Sequence, residues 1–286
     1  MNELFHQLFT PSGILFYPLL IGLLGSISFG IIGSYTVVRH VSYAAHGISH
    51  AVLLGIGATL FLNHCFAWNF LPIVGAFLVA LAAAWIIGSS TLYAPHRADS
   101  VISAVMVLGM SGGLLFLAKT PGYFEPMSVL FGDILLVSRS DAVLIGLFNL
   151  LVILTGVCFY TRLQMICFDE EFARLRGIHV EFWFVLLLSL VALTIVTMMQ
   201  MIGIVLVIAL LTLPVMTALR FCHRLWQVML MSATICAGCV LAGLALSYQL
   251  DLPTGPVIVL LAGAVYLVSL FDPGRSSGIP AGRRRR

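Results

Sequence analysis

The sequence predicts an all-α fold, a polytopic membrane helical bundle with about 8–9 transmembrane segments. Of its 286 residues, 61% are hydrophobic and only 9% are charged, whereas charged residues make up about 25% of a typical soluble domain. The mean hydropathy of +1.11 agrees with this composition. The apolar runs are also too long and too numerous to be the buried helices of a soluble core.

Nine apolar runs are candidate membrane spans when hydropathy is averaged over a window of about 19 residues. They cover residues 14–38, 46–62, 70–88, 100–118, 141–161, 181–200, 202–220, 226–248 and 255–271. The second run is short for a full crossing, and the sixth and seventh runs nearly touch. The N-terminal residues lack the basic region and the small-residue cleavage site of a secretory signal, so we expect no removable signal peptide.

The basic residues indicate the orientation of these spans. If the segment after the fifth span is cytoplasmic, alternation places twelve of the fourteen Lys and Arg residues on the cytoplasmic side. These twelve are Arg39, Arg97, Arg162, Arg174, Arg176, Arg220, Arg224, Arg275 and Arg283 to Arg286. Because membrane proteins concentrate Lys and Arg in cytoplasmic loops, we expect the N-terminus outside and the C-terminus in the cytoplasm.

Two features inside the spans concern helix packing. The first span carries a small residue at every fourth position, at Gly22, Ser26, Gly30 and Ser34. Small residues on one face let a neighbouring helix approach closely. Pro214 lies within the seventh span, where its missing N–H and its ring predict a kink or a break.

The second span begins with two histidines, His46 and His50, that lie four residues apart. At this spacing two side chains share one face of a helix, with Cβ atoms about 6 Å apart, so both rings can reach one metal ion. Polar groups at membrane depth are costly and usually face a bundle interior or a water-filled path. Two neutral histidines bonded to backbone carbonyls would explain the spacing equally well, so both interpretations stay open.

An ion in transit suits this pair better than a tightly held ion. A tetrahedral metal site needs four ligands, so further ligands must come from a second chain at a two-fold axis or from another group in this chain. An incomplete site releases its ion readily, as conduction requires. The pair is not part of an HExxH protease motif, because Gly47 follows His46. His64, at the outer mouth of the second span, is a further candidate contact for an arriving ion.

The loop between the fifth and sixth spans carries the densest charge outside the C-terminal tail. Asp169 and Glu171 precede Arg174, an order that suits the dipole of a short helix. Glu170 and Arg174 lie four residues apart and can pair, and Gly177 can end the helix. This short cytoplasmic helix is interpreted either as a docking element for a soluble partner or as an ordinary charged connector.

Enzymatic chemistry is not expected on this chain. No nucleotide-binding GxxxxGK[ST] run occurs in the sequence, so the motor of a pump would lie on another chain. An intramembrane enzyme needs a nucleophile with a base, or a metal with a carboxylate base. No acidic residue lies firmly inside a predicted span, so we assign no catalytic residues.

Five segments of the sequence together carry a family resemblance. In chain order they are GSYTVVRHVSYAAHGISHAVLLGIG, VLFGDILLVSRSD, FDEEFARLRGIHV, MIGIVLVIALLTLPVMTALRF and LSYQLDLPTGPVIVLLAG. They resemble the membrane permease subunits of bacterial ABC transporters that take up zinc, manganese or iron, the ABC-3 metal permease family. The resemblance runs from about residue 22 to residue 271, nearly the whole chain.

The resemblance implies how the chain is organised and what it works with. Residues 1–274 would form a single transmembrane permease domain in the bacterial inner membrane, followed by a disordered basic cytoplasmic tail over residues 275–286. The partners would be a second permease copy or paralogue, two cytoplasmic ATP-binding subunits and an extracytoplasmic metal-binding protein. No nucleic acid and no permanently bound cofactor are expected. The cargo would be a divalent metal, zinc or manganese, with iron as a third choice.

The resemblance also assigns roles to particular residues. His46 and His50 would contact the metal in transit. Asp133, and with it His64, would lie at an outer docking or entry surface. The coupling segment 168–178 would receive the ATPase through Phe168, Asp169, Glu171, Phe172, Arg174 and Gly177.

This sequence departs from the family pattern at two of these positions. His46 stands where the family usually has Asp, and Glu170 stands where it usually has Pro. Carboxylate oxygen suits manganese, whereas imidazole suits zinc, iron, nickel or copper. The first change therefore tilts the expected cargo towards zinc, and the second changes the expected shape of the coupling segment.

Other functions remain as alternatives. A permease for a larger metal chelate, such as a siderophore or cobalamin, would need a wider path with fewer ligands. A passive channel would move ions without ATP. An intramembrane metalloenzyme would need a carboxylate base at membrane depth.

Overall fold

The fold is all-α. In the computed structural model the described residues are 16–66, 69–120, 132, 139–250 and 252–271, and they contain ten α-helices, one short 3-10 helix and no β-strand. A helix satisfies its backbone N–H and C=O groups within one segment, which lipid requires because it offers no hydrogen bonds. The predicted fold class is therefore confirmed.

The helices follow the apolar runs of the sequence. In chain order they are α1 (Phe16–Val38), α2 (Ser42–Phe66), α3 (Pro72–Tyr93), α4 (Ala98–Lys119), α5 (Arg139–Cys158), α6 (Tyr160–Phe168), α7 (Glu170–Leu175), α8 (Val180–Phe221), α9 (Leu225–Leu250) and α10 (Thr254–Leu270). The 3-10 helix, Pro95–Arg97, precedes α4. Pro72 and Pro95 occupy first-turn positions, where a missing N–H costs nothing and the fixed φ suits a helix start.

Within the described part of the chain, seven helical segments are long and apolar enough to cross a membrane, and there are eight when the bent pair of α5 and α6 is counted as one span. α10 is apolar but has 17 residues, slightly fewer than the roughly 20 that a full crossing needs. Each of the nine predicted spans coincides with an apolar helical segment. The second span is longer than predicted, because α2 extends to 25 residues.

The sixth and seventh predicted spans are the two parts of α8. A straight helix of its 42 residues would be about 63 Å long, twice the thickness of a hydrocarbon core of about 30 Å. Gly203 divides it, with φ 76° and ψ 163°, a conformation that is almost confined to glycine.

Of the two outcomes expected at Pro214, a break does not occur, since the backbone of α8 stays helical there; a kink stays a prediction. Membrane helices tolerate an internal proline when neighbouring groups satisfy the freed carbonyl.

The fifth predicted span is not one continuous helix. α5 ends at Cys158, and α6 begins at Tyr160. The sequence becomes less apolar at this point, and α6 buries Leu163 and Ile166 while it exposes Arg162. α6 therefore has a buried side and an exposed side, and its sequence is less apolar than that of α5.

The chain separates into two compact units. The first unit consists of Met1–Val37, Met127–Tyr160 and Thr197–Arg286; its described residues include most of α1, α5, the second part of α8, α9 and α10. The second unit consists of Val38–Pro126 and Thr161–Val196, and it includes α2, α3, α4, most of α6, α7 and the first part of α8.

In the first unit, the small residues of α1 pack against α9. A Cβ atom on Gly30 would lie 2.8 Å from the carbonyl oxygen of Met229. The Ser34 and Ser232 hydroxyl oxygens are 3.5 Å apart, and the Ser232 hydroxyl donates to the Gly30 carbonyl over 3.2 Å. The close helix approach predicted from the first span is confirmed here.

Two predictions fall on residues outside the described part of the chain. They are the outer docking role of Asp133 and the disordered tail over residues 275–286. Both stay predictions.

Candidate functional site

The histidine pair lies on a partly exposed stripe in the most buried part of α2. Between residues 44 and 57, α2 is buried at every position except His46, His50 and Leu54, which are partly exposed. These three residues recur every four positions, so they follow one another along one face. The two imidazoles therefore share the partly exposed face of this part of α2.

A backbone hydrogen bond fixes the ring of His46. Its Nδ1 lies 2.8 Å from the carbonyl oxygen of Ser42, one turn earlier in α2. A carbonyl can only accept, so Nδ1 carries the hydrogen and Nε2 of the neutral ring keeps its lone pair. Metal-binding histidines in proteins are commonly oriented by such a bond from the second ring nitrogen. The sequence left open whether His46 bonds to the backbone or contacts a metal. One neutral ring can do both, because the two interactions use different ring nitrogens.

His50 continues the stripe about 6 Å further along α2, at 1.5 Å per residue. Between the two rings the helix carries only small or apolar residues: Gly47, Ile48 and Ser49. The Ser49 hydroxyl turns away from the stripe and donates to the Ala45 carbonyl over 2.8 Å. Both rings therefore lack a competing charged neighbour on their own helix.

The pair is a two-ligand site within one chain. Among the residues that the structure describes, no group of three or more His, Cys, Asp and Glu side chains is close enough to hold a metal ion. The expectation that further ligands come from a second chain or another group stays a prediction.

Glycines hold α2 closely against its neighbours. A Cβ atom on Gly109 of α4 would lie 2.5 Å from the Ala51 Cα, and one on Gly57 would lie 2.6 Å from the Gly113 carbonyl oxygen. Real Cβ atoms do not approach other atoms this closely, so these contacts require glycine. Backbone against backbone leaves α2 little freedom along the part that follows the histidines.

Sequence analysis missed this scaffold, although a signal was present. α4 contains Gly109 and Gly113 at the four-residue spacing that is typical of close helix pairs in membranes. The same pattern in α2, at Gly47, Ala51 and Gly55, faces α3 and α4.

The other candidate contact, His64, lies at the opposite end of α2 and is exposed. It is fourteen residues beyond His50, a rise of about 21 Å. The structure therefore does not bring His64 together with the pair, and His64 stays a prediction for the outer entry.

The coupling segment folds as the short helix α7, with a capping motif at each end. The Asp169 carboxylate accepts a hydrogen bond from the Phe172 N–H at 2.9 Å, which is the usual role of an N-cap residue. At the other end Gly177 has φ 75°. The Gly177 N–H donates to the Arg174 carbonyl, and the Ile178 N–H donates to the Ala173 carbonyl, which together form a Schellman motif. The prediction that Gly177 ends this helix is confirmed.

The ion pairs of α7 differ from the sequence expectation. Glu170 pairs with Arg39, at the start of the turn before α2, and Arg174 pairs with Glu181 over 3.0 Å. The expected pair of Glu170 with Arg174 is therefore wrong. Local spacing allows that pair, but partners supplied by other parts of the fold lie closer.

Arg39 is held on several sides. Its guanidinium lies 5.3 Å from the centroid of the Phe184 ring, and its side chain is 20% exposed. Burial lowers the pKa of Arg39, but arginine stays charged at neutral pH because its ordinary pKa is above 12. The pair with Glu170 is consequently a charged contact within the second unit.

The residues around α7 present an apolar surface bordered by charges. Phe168, Phe172 and Leu175 are 41%, 44% and 87% exposed. The Arg176 guanidinium lies 4.9 Å from the centroid of the Phe172 ring, and Glu171 is exposed. α7 itself lies outside the segments that can cross a membrane, so this surface is available to a soluble protein.

The profile of the ABC 3 transport family matches residues 13–272. A "probable metal transport system membrane protein" of Chlamydia trachomatis is 36% identical over 272 residues, covering 95% of this chain and 92% of the relative. The "manganese transport system membrane protein MntC" of Listeria innocua is 30% identical and covers 85% of each chain.

A solved structure agrees in fold. PsaBC from Streptococcus pneumoniae in complex with Fab matches with a TM-score of 0.80 and 28% identity, over 95% of this chain and 96% of the matched chain. An ABC permease implies separate ATPase and substrate-binding partners. The chain therefore belongs to the ABC 3 transport family, whose matched relatives include membrane proteins of metal transport systems, and it is itself a multi-pass membrane permease of that class and not an enzyme.

Proposed function

We propose that this chain is the permease subunit of an ATP-driven importer that moves a divalent transition metal, manganese or zinc, across the inner membrane into the cytoplasm. The observation that carries the proposal is the partly exposed stripe of α2, where His46, His50 and Leu54 are the positions between residues 44 and 57 that are not buried. The His46 bond to the Ser42 carbonyl leaves a ring nitrogen free for the ion.

The choice of metal rests on two considerations that point in different directions. Relatives named as manganese transport proteins support manganese. Imidazole ligands at both positions favour zinc over manganese, because manganese prefers carboxylate oxygen. Iron is a third candidate on the same imidazole chemistry.

The direction and the partners follow from the family and from the charges. The basic residues place α7 on the cytoplasmic side, where its exposed apolar residues and Glu171 would contact an ATPase. Two such ATPases, a second permease and an extracytoplasmic metal-binding protein would complete the importer. The ATPase would then bias two packings of the helix bundle, so that the ion site faces each side in turn.

The cargo can be identified by measuring metal uptake by the complete complex in proteoliposomes, with ATP supplied either inside or outside. Radioactive manganese, zinc and iron, and a siderophore–iron complex, are offered in parallel at limiting concentration. We expect ATP-dependent accumulation of a free divalent metal in the direction from the binding-protein side to the ATPase side. Accumulation of the chelate alone would favour the larger-cargo alternative, and ATP-independent flux would favour a channel.

The metal preference can be tested separately by the substitution His46→Asp. A carboxylate at this position is expected to raise manganese uptake relative to zinc uptake, because the hard ligand favours manganese. An unchanged ratio of the two metals would remove His46 from the choice of cargo.

The docking role of α7 can be tested with Glu171→Arg, which reverses an exposed charge without touching the capping bonds. We expect weaker copurification of the ATPase and less transport-coupled ATP hydrolysis. Asp99→Asn, which removes an exposed carboxylate at the start of α4, is the control. Unchanged binding and hydrolysis in Glu171→Arg would count against docking on this surface.

A further inference from the structure

The ion pair between Glu170 and Arg39 joins the coupling helix to the turn that precedes the histidine helix. Glu170 is the first residue of α7, directly after the N-cap Asp169. Because α7 is closed by hydrogen bonds at both ends, a push on its exposed face would displace its six residues together. Glu170 would move with them.

Arg39 connects this movement to a very short segment of chain. Only residues 39–41 separate the end of α1 from the start of α2. Within them His40 has φ 61°, a left-handed conformation that is uncommon outside glycine, and Val41 is buried at 8% exposure. A turn this short and this constrained cannot absorb a displacement of Arg39, so the displacement would be transmitted to the first turn of α2.

The first turn of α2 is where the His46 ring is fixed. The Ser42 carbonyl, three residues after Arg39, accepts the hydrogen bond from Nδ1 of His46. Further along, α2 is immobilised by the backbone contacts at Ala51 and Gly57. A shift of the first turn against this fixed part would reorient the His46 ring and displace its Nε2.

We propose that Glu170, Arg39 and the Ser42 carbonyl form a positioning link through which movement of α7 reorients the metal-contacting ring of His46. The link rests on the proposed function of α7 and of the histidine pair. Glu170 and Arg39 are positioning residues, since neither has to touch the metal. Glu170 occupies a position where the resemblance leads one to expect proline, so this link is a property of this chain.

A purely structural ion pair is the competing explanation. Partly exposed ion pairs contribute little to stability, and Arg39 and Glu170 are 20% and 35% exposed in their side chains. Their removal should therefore leave folding nearly unchanged. The effect of the link should appear in the number of ions moved per ATP hydrolysed.

The experiment uses the complete complex in proteoliposomes and measures manganese uptake and ATP hydrolysis together. For Glu170→Gln, which keeps the shape and removes the charge, we expect the ions moved per ATP to fall about five-fold, the low end of coupling between two sites. ATPase copurification should not change. Glu170→Asp keeps the charge and should restore most of the ratio, and Asp99→Asn should match the wild type.

Arg39→Lys provides a second variant, because it keeps a positive charge but loses the planar contact with Phe184. The number of ions moved per ATP hydrolysed should lie between the values for Glu170→Gln and the wild type.

A wild-type number of ions per ATP in Glu170→Gln, in a complex that transports manganese normally, would overturn the link. Loss of ATPase binding in that variant, or failure of both variants to fold, would also overturn it, since the pair would then be a docking contact or a structural element. If the wild-type complex moves no divalent metal, the proposed function itself fails, and this result is distinct from all of these.

Discussion

Two helix contacts in this chain rely on small residues, α1 with α9 and α2 with α4. They differ in how their polar side chains are bonded. Between α1 and α9, Ser232 donates to the Gly30 carbonyl and lies 3.5 Å from the Ser34 hydroxyl. Between α2 and α4, glycines bring backbone against backbone at Ala51 and at Gly113. At its closest approach the first contact is joined by hydroxyl groups, whereas in the second the hydroxyl bond between Tyr43 and Ser103 lies near the start of α2 and away from these glycines.

The difference explains why the candidate site lies on α2. The Ser34 and Ser232 hydroxyls both donate to the Gly30 carbonyl and are fully buried in the contact, so a ligand cannot reach them. The glycines of the α2–α4 contact need no polar partners, and His46 and His50 stay partly exposed on α2. A transported ion requires ligands of this kind, which are oriented but not already satisfied.

The largest expected effect comes from removing the polar groups of the partly exposed face of α2. His50→Ala should lower metal uptake at limiting concentration by at least about 10-fold, because even indirect partners of metal ligands contribute 10–100-fold in affinity. Complex assembly should be unchanged. The matched control is Ser34→Ala, which removes a polar group from the α1–α9 contact and should keep most of the uptake. Normal uptake by His50→Ala would exclude His50 from the path.

A bulky residue in the glycine contact should produce the next largest effect. Gly109→Val places side-chain atoms where a Cβ alone would lie 2.5 Å from the Ala51 Cα. We expect a loss of about 3 kcal/mol, near the upper end for overpacking, seen as a lower melting temperature of the purified protein in detergent.

The control for this change is Gly238→Ala in α9. Its added Cβ atom would meet nothing within 4 Å, and alanine is the better helix former, so the melting temperature should stay the same or rise. If Gly109→Val and Gly238→Ala melted alike, the α2–α4 contact would not be the rigid scaffold inferred here.

The smallest effect is expected in the hydroxyl-bonded contact. Ser232→Ala removes the bond to the Gly30 carbonyl, and hydrogen bonds between membrane helices contribute about 0.6 kcal/mol on average. The melting temperature should fall only slightly and uptake should persist. A fall as large as that of Gly109→Val would show that the hydroxyl groups, and not the close approach, hold α1 to α9.

Much of the site could be predicted from sequence because the relevant patterns are local. The four-residue spacing of His46 and His50 places them on one face of any helix, and Gly177 has the conformational freedom that the end of α7 needs. The partners of Glu170 and Arg174 could not be predicted in this way. Arg39 and Glu181 come from other segments, and no spacing rule relates residues that only the fold brings together.

The sequence by itself determined where the membrane helices lie, since hydropathy acts over about 20 consecutive residues and lipid permits few other backbone structures. It also determined that two imidazoles share a face of α2. The tertiary structure decided that His46, His50 and Leu54 stay partly exposed while the positions around them are buried, because burial depends on which neighbours cover a helix. It likewise decided that α8 divides at Gly203 and stays helical through Pro214, because the cost of an irregular backbone depends on the groups packed around it.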